Sequence, residues 1–561
     1  MADAITGSRD SNEGSSTDGE RGPGRPNVVM VVADQLRADH TGFGGNPVVR
    51  TPNLDSIACE GTRFDRAFVS NPICMPNRST ILTGRMPSVH GVRFNGIPLD
   101  WGANTFVREL RRHGYRTGLV GKAHFQNMGH LPGVSAALLA GEGDAVANSW
   151  PPGWDQWENI ERHQAGYVRM PQDWYGFDHV DLVVDHSDRC SGHYYQWLID
   201  QGVNPSEVLG PANRLSSVDL GWDQIYEPAL SEELYPTTYV GLRSTEFIER
   251  AAKSAEPFFL QVSFPDPHHP FTPPGRYYKM YDPADVPMPT ALDDPHERSM
   301  NHLKTMVALR GNPPVVPVLP FACTEELYRE AAAKEYGMIT MIDDAVGEVL
   351  ATLDRLSLAE NTVVVLTSDH GEMFGDHGLM LKGSMHYQGC VRVPLVISPA
   401  GVRSSSDRSG CAERESGASP TAGTGQACGS LVSSIDLPET ILSLCGVKPY
   451  YGMQGFDLTP LLDDPSASVR DRVLIEEDEM FNVLGTGRPL RMRTVVTGAG
   501  RLTRYEGTPQ GEIFDLAEDP DEMVNVFDDP ARTNLRDELT EALLSEMVRL
   551  ADDSPKPTHL A

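Results

Sequence analysis

One cysteine, one proline and one arginine are spaced so that they could form a nucleophilic site: Cys74, Pro76 and Arg78. Pro76 favours the first turn of a helix, where a missing N–H costs little, and Gly84 favours the helix end. Cys74 would then lie at a helix N-terminus, whose free N–H groups and dipole stabilise an anion. Arg78 lies one turn further on. The spacing therefore indicates either a nucleophile that faces an oxyanion or a buried thiol beside a solvated arginine.

Ionisable residues also follow four predicted strands at the points where these strands end. The strands are apolar runs at 28–33, 117–121, 258–264 and 362–367, typical of a parallel sheet that is buried on both faces. The residues that follow them are Asp34, Lys122 and His124, His268, and Asp369 with His370. Ligands bind at the carboxyl ends of parallel strands in open α/β sheets. We therefore expect these groups to meet beside the cysteine.

Three of these residues have the chemistry of metal ligands. Asp34 and Asp369 offer hard carboxylate oxygens, and His370 offers an imidazole. This donor set suits Ca²⁺, Mg²⁺ or Mn²⁺. Either aspartate alone could cap a helix after a strand, but the two together favour a metal site.

Composition limits the partners of the chain. The 561 residues carry a formal net charge of −31, from 78 acidic and 47 basic residues. Such a charge argues against nucleic acid and against an anionic membrane surface as partners, and an anionic substrate would need a local cationic site. No apolar run reaches the roughly 18 residues of a membrane span. The eight cysteines have no regular spacing and do not predict a disulfide framework.

The pattern along the chain predicts three parts. Residues 1–26 are rich in Ser, Gly and Asp without an apolar core, which predicts a disordered tail, no signal peptide and a cytoplasmic location. Residues 27–465 form the predicted catalytic α/β domain. Within it, 129–233 has weak periodicity and is interpreted as a substrate-facing cap or a surface insertion, and 403–429 as a flexible loop. Residues 466–561 predict a small α+β subdomain, and a homo-oligomer is compatible with this sequence.

The motif around Cys74 resembles the signature of the type I sulfatases, a family of the alkaline phosphatase superfamily. The matching runs are Cys74-Met75-Pro76-Asn77-Arg78, Leu82-Thr83-Gly84-Arg85, Gly121-Lys122-Ala123-His124, Pro267-His268-His269-Pro270-Phe271 and, after Lys382, Arg392-Val393-Pro394-Leu395. Asn77 departs from the pattern, because most members carry a small residue there. The resemblance covers most of the chain. It implies an alkaline-phosphatase-like α/β/α sandwich with a mostly parallel central sheet and a small C-terminal antiparallel subdomain.

The resemblance also implies a modified nucleophile and a metal. In this family a maturation enzyme oxidises the motif cysteine to formylglycine (3-oxoalanine), an aldehyde that hydrates to a geminal diol. The implied ligands of one divalent metal are Asp34, Cys74, Asp369 and His370. Gln35 stands where relatives often have a second aspartate, so we favour Mn²⁺ over Ca²⁺, with Mg²⁺ as a further option. The groups implied around the sulfuryl oxygens are Arg78, Lys122, His124, His268 and Lys382, with Asn95 as a further substrate-binding donor.

The implied reaction is hydrolysis of a small-molecule sulfate ester by S–O cleavage. One hydroxyl of the diol attacks sulfur with help from Asp369 or a neighbouring residue, and His268 or Lys382 protonates the leaving alcohol. His124 then deprotonates the second hydroxyl, which expels sulfate and restores the aldehyde. The choice between His268 and Lys382 stays open.

Two other functions compete with the sulfatase hypothesis. A phosphonate monoester or phosphodiester hydrolase of the same superfamily also fits Asp34-Gln35 and Asn95, whereas Lys122 and His124 favour the sulfatase. A non-catalytic relative that binds anions is the third hypothesis. The intact set of cysteine, cations and metal ligands argues against it.

Overall fold

Apolar and β-branched runs form the central strands, as their composition predicts. The computed structural model describes residues 24–129, 150–312, 314, 316–401, 425–480 and 487–559. The strands of these residues are β1 (Asn27–Ala33), β2 (Thr62–Phe68), β3 (Arg116–Lys122), β4 (His179–Val184), β5 (Ser191–Gly192), β6 (Ser216–Ser217), β7 (Tyr226–Glu227), β8 (Phe258–Ser263), β9 (Phe321–Ala322), β10 (Thr362–Ser368), β11 (Leu379–Met380), β12 (Leu395–Ser398), β13 (Gln426–Ser433), β14 (Arg472–Asp478), β15 (Arg491–Thr497), β16 (Arg501–Tyr505) and β17 (Gly511–Phe514).

Nine of the described strands form one sheet, in the order β13-β2-β12-β10-β1-β8-β3-β4-β5. The five neighbours β10, β1, β8, β3 and β4 are parallel to one another. β12 runs antiparallel to both β10 and β2, and β5 antiparallel to β4. The prediction of a mostly parallel sheet is confirmed. The carboxyl ends of the five parallel strands therefore lie along one edge.

Helices cover both faces of this sheet. The helices of the described residues are α1 (Pro52–Glu60), α2 (Cys74–Thr83), α3 (Pro87–His90), α4 (Phe106–Arg112), α5 (Ile160–Ala165), α6 (His193–Asp200), α7 (Pro205–Val208), α8 (Pro236–Ala251), α9 (Gly275–Tyr278), α10 (Asn301–Ala308), α11 (Glu325–Arg355), α12 (Gln388–Val391), α13 (Leu437–Leu444), α14 (Thr459–Asp463) and α15 (Thr533–Arg549). Val29 and Val31 of β1 pack in the cluster with α1, α8 and α11, whereas Val28, Met30 and Val32 pack in the cluster with α2, α4 and α13. This alternation confirms the α/β/α sandwich.

The C-terminal part is a small antiparallel sheet covered by a helix, as predicted. Its strands follow the order β14-β15-β16-β17. Leu474, Val495 and Leu502 on one face pack with Leu539 and Leu543 of α15. Burial of these apolar side chains holds the helix on the sheet.

The region that we assigned to a cap, 129–233, contains a strand of the main sheet. β4 pairs in parallel with β3 over Gly118 to Lys122. Asp181, which forms an ion pair with Arg243 at 3.2 Å, interrupts the apolar run of β4 and weakens its pattern in the sequence. The structure therefore corrects the cap prediction for β4, while 130–149 lie outside the described residues.

Two further predicted segments lie largely outside the described residues. These are 1–23 of the N-terminal tail and 403–424 of the predicted loop. Residues 426–429 of that loop form the start of β13, which pairs with β2, and Cys428 is buried there. Among the described helices, none combines the length and apolarity that a membrane crossing requires.

Gly121 marks a close approach between the strands that carry the site. Its φ is 107°, and a Cβ atom there would lie 1.8 Å from the Ser263 carbonyl oxygen of β8. We expect Gly121→Ala to lower the free energy of unfolding by more than the roughly 1–3 kcal/mol of a strained backbone conformation, because the clash adds to the strain. Gly429→Ala in β13 is the control, since nothing lies within 4 Å of its Cβ position. Urea denaturation measures both variants, and equal midpoints would contradict the prediction.

Candidate active site

The cysteine lies where its motif predicts, at the first residue of α2. Cys74 is buried, and Gly84 ends the helix with φ of 65°. The carboxamide oxygen of Asn95 accepts the Met75 N–H at 3.0 Å, and that of Asn71 accepts the Ile73 N–H at 2.8 Å. Two side chains from outside the helix therefore fix its N-terminus around the thiol. Asn95 is exposed, and its side chain contacts the backbone beside the cysteine.

Two buried aspartates at strand ends each place one oxygen near a histidine and bond the other oxygen to an arginine. Oδ1 of Asp34 and Oδ1 of Asp369 lie 3.5 and 3.6 Å from Nε2 of His370, which is 3.0 Å from the Cys74 sulfur. Oδ2 of Asp369 accepts from Nε of Arg78 at 2.6 Å, and Oδ2 of Asp34 accepts from Nη2 of Arg78 at 3.1 Å. One side of each carboxylate therefore faces the cysteine and histidine, and the other side faces a guanidinium.

Lys122 is a second cation, beside Arg78, that contacts Asp34. Its ammonium group donates to Oδ2 of Asp34, and its carbonyl oxygen accepts from Nη1 of Arg78 at 3.0 Å. Burial alone favours neutral Asp34, yet Lys122 and Arg78 hold the pKa of this carboxyl well below its usual range. Burial likewise opposes charged Lys122, and Asp34 keeps its pKa above the usual value. Asp34 and the two cations therefore stay ionised without contact with bulk water.

The four residues on the Oδ1 side fit a divalent metal. One ligand atom from each of Asp34, Cys74, Asp369 and His370 lies within 4.8 Å of every other. Nδ1 of His370 donates to the Gly371 carbonyl at 2.9 Å, which leaves Nε2 free to bind a metal. Burial lowers the pKa of His370 to about 4, so the imidazole is neutral. Two carboxylates and one neutral imidazole suit a hard divalent cation.

A lysine and a histidine form the opposite wall. Nζ of Lys382 lies 2.8 Å from Nε2 of His268 and donates to Oε1 of Gln35 at 2.8 Å. Nδ1 of His268 lies 2.6 Å from the His269 carbonyl, so Nδ1 carries the ring proton and Nε2 accepts from the ammonium group. Burial, with the neighbouring Lys382 ammonium group, holds the pKa of His268 well below its usual range.

The structure adds a histidine that sequence reasoning missed, His186. It follows β4, its Nε2 contacts Nζ of Lys122, and its ring stacks on His268 with centroids 3.6 Å apart. Nδ1 of His186 lies 2.9 Å from Oδ1 of Asp185, which fixes the tautomer. The signal was present, because Asp185 and His186 directly follow the apolar run that ends β4, as the other site residues follow their strands.

His124 is held by a second residue that the sequence did not single out. Its backbone N–H donates to Oε2 of Glu158 at 2.7 Å, and Oε1 of Glu158 accepts the N–H groups of Phe125 and Gln126 at 2.8 and 2.9 Å. The His124 ring is buried, and its Nδ1 has no hydrogen-bond partner among the described residues. Burial and the charge of Lys122 hold the pKa of His124 well below its usual range. This histidine is therefore neutral.

The sequence model of the family named Sulfatase matches residues 26–447. This match covers most of the chain. The chain belongs to the Sulfatase family. Proteins similar to this chain include an arylsulfatase and a choline-sulfatase, and the predictions of the family and of a sulfuric ester hydrolase are confirmed. A second model, for the C-terminal part of N-sulphoglucosamine sulphohydrolase, matches residues 420–549, which include the antiparallel sheet.

Relatives match along nearly the whole sulfatase chain. An arylsulfatase from Clostridium perfringens is 27% identical over 525 residues, which are 93% of this chain and 94% of the relative. A multifunctional alkaline phosphatase superfamily protein, PehA, from Trinickia caryophylli is 25% identical over 94% of this chain and 96% of its own. The solved structure of a phosphonate monoester hydrolase from Agrobacterium radiobacter superposes with a TM-score of 0.72 at 24% identity, covering 94% and 96% of the two chains. At this identity the superposition supports the fold.

The candidate metal ligands can be tested with isosteric variants. We expect Asp34→Asn and Asp369→Asn to lose most of the bound divalent metal and to stay folded, because a neutral amide is a weaker ligand than a carboxylate and apolar burial holds the strands. Asp343→Asn is the control, since this buried carboxylate accepts the Leu54 N–H of α1 at 2.8 Å. Elemental analysis of folded protein, checked by circular dichroism, gives the metal content. Full metal content in both site variants would refute the assignment.

Proposed function

We propose that this protein hydrolyses a sulfate ester through a formylglycine made from Cys74, with one divalent metal. One observation supports the proposal most strongly: the cysteine at the start of α2 lies between a set of metal ligands and a set of buried cations. A nucleophile in this position can reach an anion that the cations hold. The partners that the proposal requires are a small-molecule sulfate ester and the maturation enzyme.

The cations give the site its preference for an anion. Arg78, Lys122 and Lys382 converge in a chain whose net charge is −31, so the attraction is local. Fixed donors of this kind stabilise oxygens on which negative charge develops in a transition state. We assign the three side chains to the sulfuryl oxygens. Arg78 supplies charge only, because Asp369 and Asp34 raise its pKa despite burial.

Asp34, Asp369 and His370 are the proposed metal ligands, together with the oxidised residue 74. When bound, the metal supplies a Lewis acid, and formylglycine supplies a hydrated aldehyde as nucleophile. The protein's own residues orient these groups. The Gln35 backbone N–H donates to Oδ1 of Asp369 at 3.1 Å, which fixes that carboxylate toward the ligand side.

The hydrogen bonds favour Lys382 as the proton donor to the leaving oxygen. Nδ1–H of His268 is engaged by the His269 carbonyl, and Nε2 accepts from Lys382. His268 therefore has no proton to give from the nitrogen that faces the lysine, while the ammonium group has three. We assign the donor role to Lys382, the orienting role to His268, and the removal of the second hydroxyl proton to neutral His124.

The competing phosphonate hydrolase hypothesis gives a direct test of the proposal. Lys122 and His124 favour a sulfate monoester, whereas Gln35 beside Asp34 fits both activities. We expect matured enzyme to show a higher kcat/KM for an aryl sulfate than for the matching aryl phosphonate monoester. The same alcohol in both substrates controls for the leaving group. A higher value for the phosphonate would overturn the proposal.

Modification of Cys74 has a mass-spectrometric signature. After co-expression with the maturation enzyme, we expect the peptide that contains residue 74 to lose the thiol mass and gain an aldehyde. Cys74→Ala is the control for the assignment of the peptide. Full activity in protein that carries only the unmodified cysteine would contradict the mechanism.

The proposed proton donor predicts a dependence on the leaving group. Loss of Lys382 should lower kcat/KM most for esters with basic leaving groups, since a nitrophenolate leaves unaided and an alkoxide needs the proton. We expect Lys382→Ala to steepen the plot of log kcat/KM against leaving-group pKa across a phenyl sulfate series. Arg78→Ala should lower every substrate by a similar factor, on the order of 10²–10³.

The slopes also separate the two candidate donors. A steeper slope for His268→Ala than for Lys382→Ala would assign the donor to His268. Parallel lines for all three variants would exclude both residues as proton donors.

A further inference from the structure

The segment that carries Lys382 has an unusual backbone. Leu381 and Ser384 have φ of 68° and 62°, and Gly383 between them has φ of 104°. Left-handed conformations at residues other than glycine cost free energy and persist where surrounding contacts impose them. The contacts of this segment therefore decide where the lysine ammonium group lies.

Three of these contacts come from one residue, Ser384. Its backbone N–H donates to Oε1 of Glu477 at 2.7 Å, and its hydroxyl donates to Oε1 of Glu479 at 2.8 Å. Its carbonyl oxygen accepts from Nε2 of His302 in α10 at 2.9 Å. Glu477 lies in β14 and Glu479 directly follows this strand. The C-terminal sheet therefore holds the Lys382 segment from outside the catalytic sheet.

Glu477 is itself fixed by a buried chain of hydrogen bonds. Its Oε2 lies 2.9 Å from Nε2 of His386, whose Nδ1 lies 2.7 Å from the Thr494 hydroxyl of β15. Burial raises the pKa of Glu477 to about 7, and burial with nearby Arg501 lowers the pKa of His386 to about 3. One oxygen of Glu477 therefore contacts the imidazole, and the other accepts from the Ser384 N–H.

The neighbouring residue of β14 holds the other side of the site. The Glu476 backbone N–H donates to the Ser70 carbonyl at 2.9 Å, and its carbonyl accepts from Nδ2 of Asn71 at 2.6 Å. Asn71 in turn accepts the Ile73 N–H directly before Cys74. Two consecutive residues of one strand thus fix the segments that carry the nucleophile and the lysine.

We propose that Glu477 is a positioning residue for Lys382, and that β14 of the C-terminal subdomain sets the distance between the nucleophile and the lysine. Glu477 acts through the backbone of Ser384 and does not touch the substrate. The inference rests on the role proposed above for Lys382. On this inference, the C-terminal subdomain contributes to the active site by positioning Lys382.

A double-variant cycle tests the inference. We expect Glu477→Ala to lower kcat/KM on the order of 10²-fold, as a misplaced catalytic group does, and to steepen the leaving-group plot as Lys382→Ala does. The double variant should be no slower than Lys382→Ala alone, because residues that act through one another are not additive. Losses that multiply in the double variant would overturn the inference.

Two controls separate positioning from general destabilisation. Glu477→Gln keeps an oxygen for the Ser384 N–H and an N–H for His386, so it should retain most of the activity. Leu502→Ala creates a cavity in the apolar cluster under α15 and should lower the melting temperature without changing the leaving-group slope. A Gln variant as slow as the Ala variant, or a changed slope in Leu502→Ala, would contradict a positioning role.

Amide hydrogen exchange tests the same contact without any substrate. We expect residues 379–388 to exchange faster in Glu477→Ala than in wild type, and at the wild-type rate in Glu477→Gln. If the alanine variant does not fold, Glu477→Asp replaces it, because the aspartate side chain is one methylene shorter. Unchanged exchange would overturn the inference. If exchange is faster but the protein hydrolyses neither the aryl sulfate nor the aryl phosphonate, the result supports the contact and rejects the proposed function.

Discussion

The site depends on two buried carboxylates that each contact a guanidinium with one oxygen and lie near a histidine with the other. Asp34 and Asp369 are fully buried, and each turns one oxygen to Arg78 and the other toward His370. Buried charges are stable only when they are paired and hydrogen-bonded. The guanidinium therefore compensates the charge of both buried carboxylates, and their other oxygens are the proposed metal ligands. The same pairing leaves the cations next to the cysteine, where an anion would bind.

The parallel sheet makes this arrangement possible. β10, β1, β8, β3 and β4 lie side by side, and each ends at the same edge in at least one residue of the site. A strand that is apolar on both faces tolerates an ionised residue only at its end, so the fold collects charge at one edge. The helix N-terminus at Cys74 is added to this edge from β2. The C-terminal sheet then closes the arrangement, since Glu476 and Glu477 bind the segments on either side.

The sequence predicted the parts of this account that depend on local pattern. Continuous apolar runs identified β1 and β10 and therefore Asp34 and Asp369, while Pro76 and Gly84 predicted the bounds of α2 to within one residue. His186 was missed because Asp181 interrupts β4. The holding contacts of Glu158 and Glu477 join residues 32 to 93 positions apart and have no local signature. Periodicity reports which face of an element is buried, and it carries no information about which distant backbone a buried carboxyl will meet.

The central claim is that the carboxylates hold a metal on one side and cations on the other, with residue 74 between them. A crystal structure of the matured protein with Mn²⁺ and sulfate measures this arrangement directly. The account predicts one metal ion bound by Asp34, Asp369, His370 and the oxidised residue 74, and sulfate oxygens in contact with Arg78, Lys122 and Lys382. A metal bound elsewhere, or a sulfate bound away from residue 74 and these three cations, would contradict it.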